Sequence, residues 1–303
     1  MNVLITGAMG HIGSALVNKL SSINKIKKVI IIDNFSSERY ISFINLKNRH
    51  KILFFDEDLA NFNLSKIKIK IDFIVHLAST TNAEKSFLNK KHVLDNNVKC
   101  TKKVLQIAKN HTKIIFASST SVYGNQYKII NSKNNHINIS PQSPYAESKI
   151  LCENIIKKMS KNYCIMRFGT IFGMSDGMRF HTAINKFCYQ ASLNKKITIL
   201  KKFYKKKRPY LDLNDCVRSI IFTIFNQKIK NETLDVVTIN LKVVEIIKKI
   251  EKLKKIKKSF VNTKILNQLS YEVHSDRLNN LNFKFNGNLF NSINKTIKKL
   301  NIG

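Results

Sequence analysis

Ser119, Tyr145 and Lys149 have the side chains that could together remove a proton from an alcohol. An ordinary tyrosine titrates at about pH 10, which makes it a poor base at neutral pH. Tyr145 and Lys149 are four residues apart on a predicted helix and therefore share one face. The Lys149 ammonium is expected to stabilise the phenolate and lower the Tyr145 pKa. The alternative is a buried tyrosine that only packs on its helix, with Lys149 in solvent.

A glycine-rich turn, Thr6-Gly-Ala-Met-Gly-His-Ile-Gly13, joins the first predicted strand to a helical pattern. Gly7 would permit the tight turn, Gly10 the close approach of a pyrophosphate, and Gly13 the packing of helix on strand. The first turn of the helix would offer backbone N–H groups to the phosphates. The residues assigned to this contact are Met9, His11 and Ile12.

An acidic residue, Asp33, ends the second predicted strand 20 residues after Gly13. Its carboxylate could accept hydrogen bonds from both hydroxyls of a ribose and would repel a 2′-phosphate. The pattern therefore favours NAD over NADP as the cofactor. Arg39 lies nearby and keeps NADP open as the alternative.

Short apolar runs alternate with helical patterns through the first 170 residues, which predicts a parallel sheet covered by helices on both faces. Predicted strands are Asn2–Thr6, Lys28–Asp33, Lys51–Phe55, Asp72–Leu77, Lys113–Ser118 and Tyr163–Phe168, and the main predicted helices are His11–Leu20, His92–Asn110 and Pro144–Met159. We predict an α/β fold, a doubly wound Rossmann sheet, with residues 1–170 as the dinucleotide-binding domain.

After residue 173 the pattern predicts a smaller mixed α/β lobe. Its predicted helices are Phe180–Leu193, Val217–Gln227, Val243–Leu253 and Leu289–Leu300, and its predicted strands are Lys196–Leu200 and Leu234–Thr238. We expect residues 171–303 to bind mainly the substrate, with some segments returning to the first domain.

The chain carries 53 Lys and Arg against 19 Asp and Glu, a net charge of +34. Only seven of the basic residues are Arg, the residue that nucleic-acid readers favour. Lys, Asn and Ile are abundant throughout, which indicates compositional bias, so no nucleic-acid partner is expected. A positive field would still attract phosphate-bearing substrates.

The five cysteines are scattered and form no Cys-x-x-Cys pair, which predicts buried, reduced thiols. No metal site is expected. No apolar run is long enough to span a membrane, and the first residues lack a signal-peptide pattern. We therefore expect a cytoplasmic protein with no membrane partner.

Taken in order, the motifs resemble the extended short-chain dehydrogenase/reductase family, whose members include NAD-dependent nucleotide-sugar epimerases and dehydratases. Besides the glycine turn, the resemblance is carried by Asp58-Leu59, Val75-His-Leu-Ala78, Asp95-Asn-Asn-Val98, Phe116-Ala-Ser-Ser-Thr-Ser-Val-Tyr-Gly124, Ser143-Pro-Tyr-Ala-Glu-Ser-Lys149 and Arg208-Pro-Tyr-Leu-Asp-Leu-Asn-Asp215.

The resemblance implies the roles of further residues. Implied additional cofactor contacts are Asn34, Asp58, Leu59, Leu77, Ala78, Tyr145 and Lys149. Implied substrate contacts are Thr80, Asn97, Ser119, Thr120, Tyr145, Thr170, Arg179, Asn185 and Arg208, the last one at the substrate diphosphate. A homodimer through the helices His92–Asn110 and Pro144–Met159 is also implied.

Thr120 and Ser121 bear on which reaction is catalysed. Dehydratases of this family carry an Asp-Glu pair there, and neither residue of this chain could replace it. The segment is similar to the 4-epimerases, which remove hydride from C4 of a nucleotide-diphosphate sugar and return it to the other face. A reductase of a nucleotide keto-sugar needs the same three residues and stays an alternative. A non-catalytic dinucleotide-binding protein is a third possibility.

Some positions depart from the epimerase pattern. Thr170 stands where the family usually has Asn, and the loop that holds Arg179, His181 and Asn185 is unlike the common epimerase sequence. A histidine in such a loop more often has a structural role than a substrate contact, and this applies to His181. Lys264 and Asn267 fall roughly where epimerases place further substrate contacts.

Overall fold

A seven-stranded sheet of parallel strands forms the centre of the protein. The computed structural model describes residues 1–81, 83, 85–124, 129–130, 139–262 and 270–301. The strands are β1 Asn2–Thr6, β2 Lys28–Asp33, β3 Ile52–Asp56, β4 Phe73–His76, β5 Lys113–Ser119, β6 Ile129–Ile130, β7 Tyr163–Phe168, β8 Thr170–Phe172, β9 Ile197–Leu200, β10 Lys207–Asp212, β11 Glu232–Val236, β12 Ile239–Lys242, β13 Lys258–Val261 and β14 Glu272–Val273. The α-helices are α1 His11–Ser21, α2 Ile41–Ile44, α3 Lys90–Ile107, α4 Pro144–Met159, α5 Ala183–Ser192, α6 Leu213–Phe225, α7 Val243–Glu251, α8 Asp276–Asn280 and α9 Leu289–Leu300.

The central sheet has the strand order β11-β7-β5-β4-β1-β2-β3 and is buried on both faces. Val3 and Ile5 of β1 pack with α1 and α6, whereas Leu4 packs with α3 on the opposite face. Successive side chains of a strand point to opposite faces, so a continuous apolar run is required when both faces are covered. This doubly wound arrangement confirms the predicted fold class.

A second layer of structure follows β7. A three-stranded sheet, β12-β10-β8, and a parallel pair, β13-β9, share an apolar core with α5, α7 and α9. The pattern predicts several of these elements, although α5 begins at Ala183 rather than Phe180. The predicted division of the chain at residue 170 stays a prediction.

One strand predicted for the smaller lobe lies elsewhere. The run at Leu234–Thr238 is β11, which pairs in parallel with β7 and forms an edge of the central sheet. Helix α6 likewise packs against α1. An apolar run identifies a buried strand but not its partner, and β11 is one of the segments that return to the central sheet.

Candidate active site

A cavity of about 300 Å³ opens at the carboxyl ends of β1, β4 and β5. Ligands of doubly wound folds bind at this edge, where loops from strands of opposite winding meet. The cavity brings together thirteen of the predicted site residues. They are Gly7, Gly10, His11, Ile12, Gly13, Leu77, Ser119, Thr120, Tyr145, Lys149, Thr170, Arg179 and Arg208.

The glycine turn has the tight geometry that its sequence predicts. Gly7 has φ +66°, and a Cβ atom there would lie 2.7 Å from the Cα of Ala78. At Gly13 a Cβ atom would lie 2.5 Å from the carbonyl oxygen of Ala8. Side chains are therefore excluded from both positions, and the backbone itself lines the cavity.

Asp33 ends β2 beside this turn. Its carboxylate accepts hydrogen bonds from the backbone N–H of Met9 (2.8 Å) and of Phe35 (3.0 Å). Burial raises the pKa of Asp33, and the nearby Arg39 guanidinium acts in the opposite direction. Asn34, which follows, is exposed and accepts a hydrogen bond from the Ser36 backbone.

Helix α4 positions two of the three predicted catalytic residues. Ser143 caps the helix by accepting a hydrogen bond from Ala146 N–H, and Pro144 begins it. Tyr145 therefore lies in the first turn. Lys149 is 3% exposed, and its Nζ donates to the Ala117 carbonyl of β5 at 2.8 Å. Its Nζ lies 5.6 Å from the centre of the Tyr145 ring.

The end of β5 supplies Ser119, whose hydroxyl oxygen accepts hydrogen bonds from the Ser121 N–H (3.1 Å) and the Ser121 Oγ (2.9 Å). With both interactions accepted, the Ser119 proton is available to a neighbouring oxygen. Ser121 entered the sequence argument only as a residue unable to replace a carboxylate. Its role in orienting Ser119 depends on the turn geometry, which the sequence does not contain.

The acid–base properties of the pair differ from the prediction. Burial raises the pKa of Tyr145, and Arg179 and a hydrogen bond with Ser119 only partly oppose this. Burial also lowers the pKa of Lys149 to about 8. The predicted net lowering of the Tyr145 pKa is not found, because burial outweighs the nearby positive charge. Spacing on a helix does not reveal how much of the pair is buried.

Arg179 lines the cavity together with Tyr145. Its Nε is buried and has no hydrogen-bond partner among the described residues. Burial lowers its pKa to about 10, and Tyr145 is the charge partner that opposes this shift. The cavity thus holds a guanidinium that no carboxylate among the described residues neutralises through a salt bridge.

Two predicted substrate residues have their amides engaged within the protein. Asn97, on α3, accepts from Thr80 N–H at 2.8 Å and donates to Ser148 Oγ at 2.9 Å. Asn185 accepts from Gly173 N–H at 3.2 Å and donates to the Arg179 carbonyl at 2.9 Å. Both side chains hold backbone that borders the cavity and lie outside the cavity lining.

The remaining predicted residues occupy varied positions. Asp58 caps the turn that contains the buried Leu59 by accepting from Ala60 N–H. Arg208 stacks on the Tyr271 ring, with 5.0 Å between the guanidinium carbon and the ring centre. His181 lines the cavity. Lys264 and Asn267 lie outside the described residues.

The loop that carries Arg179 contacts the glycine turn, which the sequence did not predict. The loop between β8 and α5 rests on the first turn of α1: His11 Nε2 donates to the Gly173 carbonyl (2.8 Å), and Ser175 Oγ donates to the His11 carbonyl (2.8 Å). Gly177 packs directly on the Gly10 carbonyl, where a side chain would clash. The loop that carries Arg179 is therefore built onto the cofactor turn.

Comparisons with known proteins identify the family of this chain. The family model described as "NAD dependent epimerase/dehydratase family" matches residues 3–237. The chain belongs to the NAD-dependent epimerase/dehydratase family. The uncharacterized UDP-glucose epimerase YtcB of Bacillus subtilis is 29% identical over 78% of this chain and 76% of its own. A dTDP-D-glucose 4,6-dehydratase of Dictyostelium discoideum is 30% identical over 76% of this chain and 56% of its own.

Two solved structures of one 4-epimerase have a fold similar to that of this chain. The UDP-glucuronic acid 4-epimerase of Bacillus cereus in complex with NAD is 25% identical, covers 99% of both chains and has a TM-score of 0.84. Its complex with UDP-glucuronic acid and NAD is 24% identical, with a TM-score of 0.87 over 99% of this chain and 100% of that one.

Membership in this family confirms the predicted resemblance, the enzyme class and NAD as the cofactor. The residues fit that cofactor: the turn is free of side chains, and the buried His11 Nδ1 has no hydrogen-bond partner among the described residues. The described part of the chain contains no group of three metal-ligating residues. None of its helices has the length and apolarity needed to cross a membrane.

Proposed function

We propose that the protein is an NAD-dependent 4-epimerase of nucleotide-diphosphate sugars. The main support for this proposal is that Ser119, Tyr145 and Lys149 line one cavity together with the glycine turn. Positions 120 and 121 are Thr and Ser, which carry hydroxyl groups and no carboxylate. Water elimination would need an acid and a base there. Epimerisation needs only the three residues and a retained cofactor.

Each of these residues has a defined task in the reaction. Ser119 donates a hydrogen bond to the C4 oxygen of the sugar and so orients it, while keeping its own proton. Tyr145 takes the C4 hydroxyl proton during oxidation and returns one during reduction. Lys149, fixed to the Ala117 carbonyl, supplies a positive charge near the phenolate. NAD, when bound, supplies the acceptor and donor of hydride.

Incubation with a UDP-hexose and no added cofactor tests this proposal. Formation of the C4 epimer, followed by NMR, supports it. Net consumption of NADH or NADPH with a keto-sugar, and no epimer, would favour the reductase. Tight dinucleotide binding without either reaction would favour the non-catalytic reading.

We infer further that the sugar bears an acidic group, because Arg179, which forms no salt bridge among the described residues, lies beside Tyr145. The Arg179 Nε is buried without a hydrogen-bond partner among the described residues, and a carboxylate would engage the guanidinium bidentately. UDP-glucuronic acid should therefore have a kcat/KM at least about tenfold above that of UDP-glucose. Arg179→Met should abolish this preference. If the preference is unchanged and only the pH profile shifts, Arg179 acts on the pKa of Tyr145 and does not bind an acidic group of the sugar.

We also propose a cytoplasmic homodimer. The five cysteines are free and buried, as suits a reducing compartment. Helices α3 and α4 pack together, and Leu151 and Met159 of α4 are 41% and 63% exposed. Light scattering at micromolar concentration should give twice the chain mass, and Leu151→Glu should reduce it to a monomer.

A further inference from the structure

Glu153 is a buried carboxylate one helical turn after Lys149 on α4, and it is 1% exposed. Its Oε1 accepts from Ser118 Oγ (2.5 Å) and from Arg167 Nε (2.9 Å), and its Oε2 accepts from Arg167 Nη2 (2.6 Å). One side chain thus links the catalytic helix to β5 and β7. Ser118 lines the cavity, whereas Glu153 and Arg167 are not among its lining residues.

The link continues through further buried groups. Arg167 Nη1 donates to the Tyr123 hydroxyl at 3.0 Å, and Tyr123 donates to Asp235 Oδ1 at 2.6 Å on β11. Apolar residues of similar volume would hold these elements together at least as well, since burying charges is costly. The charges therefore point to a role beyond packing.

The hydrogen bond between Glu153 and Ser118, called the clamp below, indicates that role by its position on β5. Ser118, which Glu153 holds, lies between Ala117, whose carbonyl accepts from Lys149, and Ser119. A shift of Ser118 would move the Ala117 carbonyl, which holds Lys149, and would also move Ser119. Displacements of about 1 Å at such positions cost up to about 100-fold in rate.

We propose that Glu153 is a positioning residue of the active site, which fixes Ser119 relative to Tyr145 and keeps Lys149 protonated. This inference rests on the proposed epimerase function. Its electrostatic part can be measured without substrate, so the two can fail separately.

The charges around Lys149 support the inference that Glu153 keeps Lys149 protonated. Burial lowers the Lys149 pKa to about 8, and the Glu153 carboxylate is one of the groups that oppose this shift. Arg179 acts in the same direction as burial. The titratable and charged groups that face Lys149 or Glu153 are His76, Cys100, Tyr123, Tyr145, Cys152, Lys157, Arg167, Arg179 and Asp235.

Glu153→Gln in the NAD-bound enzyme tests the proposal, because the amide keeps the shape and removes the charge. Lysine labelled at Cε reports the titration by NMR, and Lys149→Met assigns the signal. Ordinary lysines titrate at about pH 10.4, so Lys149 stands apart from them. We expect its midpoint, and the alkaline limb of kcat/KM, to fall by about 0.5 to 1 pH unit.

Glu232→Gln is the matched control. Glu232 lies on the edge strand β11 and makes a similar two-contact ion pair with Arg277 of α8. It should leave the midpoint and the pH profile unchanged. Ser118→Ala keeps the Glu153 charge and breaks the clamp. We expect about tenfold lower kcat with the Lys149 midpoint and substrate KM unchanged.

An unmoved Lys149 midpoint in Glu153→Gln would overturn the electrostatic role. Full kcat in Ser118→Ala would overturn the positioning role, including the case in which Glu153→Gln does not fold. If the wild type epimerises no sugar but its midpoint still falls in Glu153→Gln, the electrostatic inference stands and the proposed function fails.

Discussion

At the scale of single residues, burial controls the chemistry of this site more than spacing does. Tyr145 and Lys149 have pKa values shifted against their charged forms, and Ser119 is oriented by Ser121. The residue types and their order could be predicted from the sequence, because each motif is local. Burial, the orientation of Ser119 and the internal bonding of Asn97 and Asn185 could not, since they depend on contacts between distant segments.

Replacing the proposed base gives the first prediction. Tyr145→Phe removes the phenolic oxygen, so kcat should fall at least about 100-fold while bound NAD and thermal stability remain near wild type. Rate assays and cofactor content measure this. The control is Tyr189→Phe, because Tyr189 of α5 packs on Phe180 outside the cavity lining. Substantial activity in Tyr145→Phe would assign the proton transfer to another group.

A buried histidine sets a pH dependence of stability. His76 is buried between Thr6 and Thr101 and accepts from the Thr6 hydroxyl, and burial lowers its pKa from 6.5 to about 3. The unfolded chain binds this proton first. The contribution is therefore complete above pH 6.5 and declines by about 1.4 kcal/mol per pH unit as the pH falls toward 3.

Urea unfolding of His76→Gln between pH 6.5 and 4.5 tests this dependence. The variant should lose less free energy of unfolding over that range than the wild type, although it starts lower. His50→Gln, at an exposed position, should behave as wild type. Equal slopes for His76→Gln and the wild type would refute the buried neutral histidine.

At the scale of elements, the parallel sheet and its covering helices could be predicted because buried strands have continuous apolar runs and the helices have periodic ones. The partners of the later elements could not. β11 joins β7 after a gap of 63 residues between their ends, and β10 was read only as a motif with Arg208. Helix α6 begins at Leu213 instead of Val217 because Asp212 caps it by accepting from Asn214 N–H.

The contact between the loop after β8 and the turn before α1 gives a prediction at this scale. Gly177→Ala places a methyl group against the Gly10 carbonyl, so it should displace both segments. We expect at least about tenfold weaker NAD binding, together with a higher KM for the sugar nucleotide. Calorimetry and kinetics measure these effects.

Asp176→Ala is the control in the same loop, because that carboxylate accepts from the exposed Asn45 at 3.1 Å. It should bind NAD as the wild type does. Normal NAD affinity in Gly177→Ala would show that the two segments are independent.

At the scale of the whole molecule, the net charge of +34 should act on the rate at which substrate arrives. Lys206 is exposed and lines the cavity with Arg208, so the entrance is basic. Raising ionic strength from about 50 to 500 mM should lower kcat/KM about tenfold and leave kcat nearly unchanged.

Lys206→Gln should weaken this salt dependence, whereas Lys298→Gln, which is not among the cavity-lining residues, should not. Stopped-flow measurement of substrate binding separates association from dissociation. A kcat/KM independent of salt would mean that the charge has no part in substrate capture.

In the proposed reaction, hydride leaves C4 of the sugar and returns to the same carbon within one cavity. The most direct measurement follows a UDP-hexose deuterated at C4, incubated with the enzyme and an excess of unlabelled NADH. We predict a C4 epimer that keeps its deuterium, because the cofactor is retained between the two hydride transfers. A product that has lost the label, or a keto-sugar reduced at the expense of the added NADH, would contradict the account.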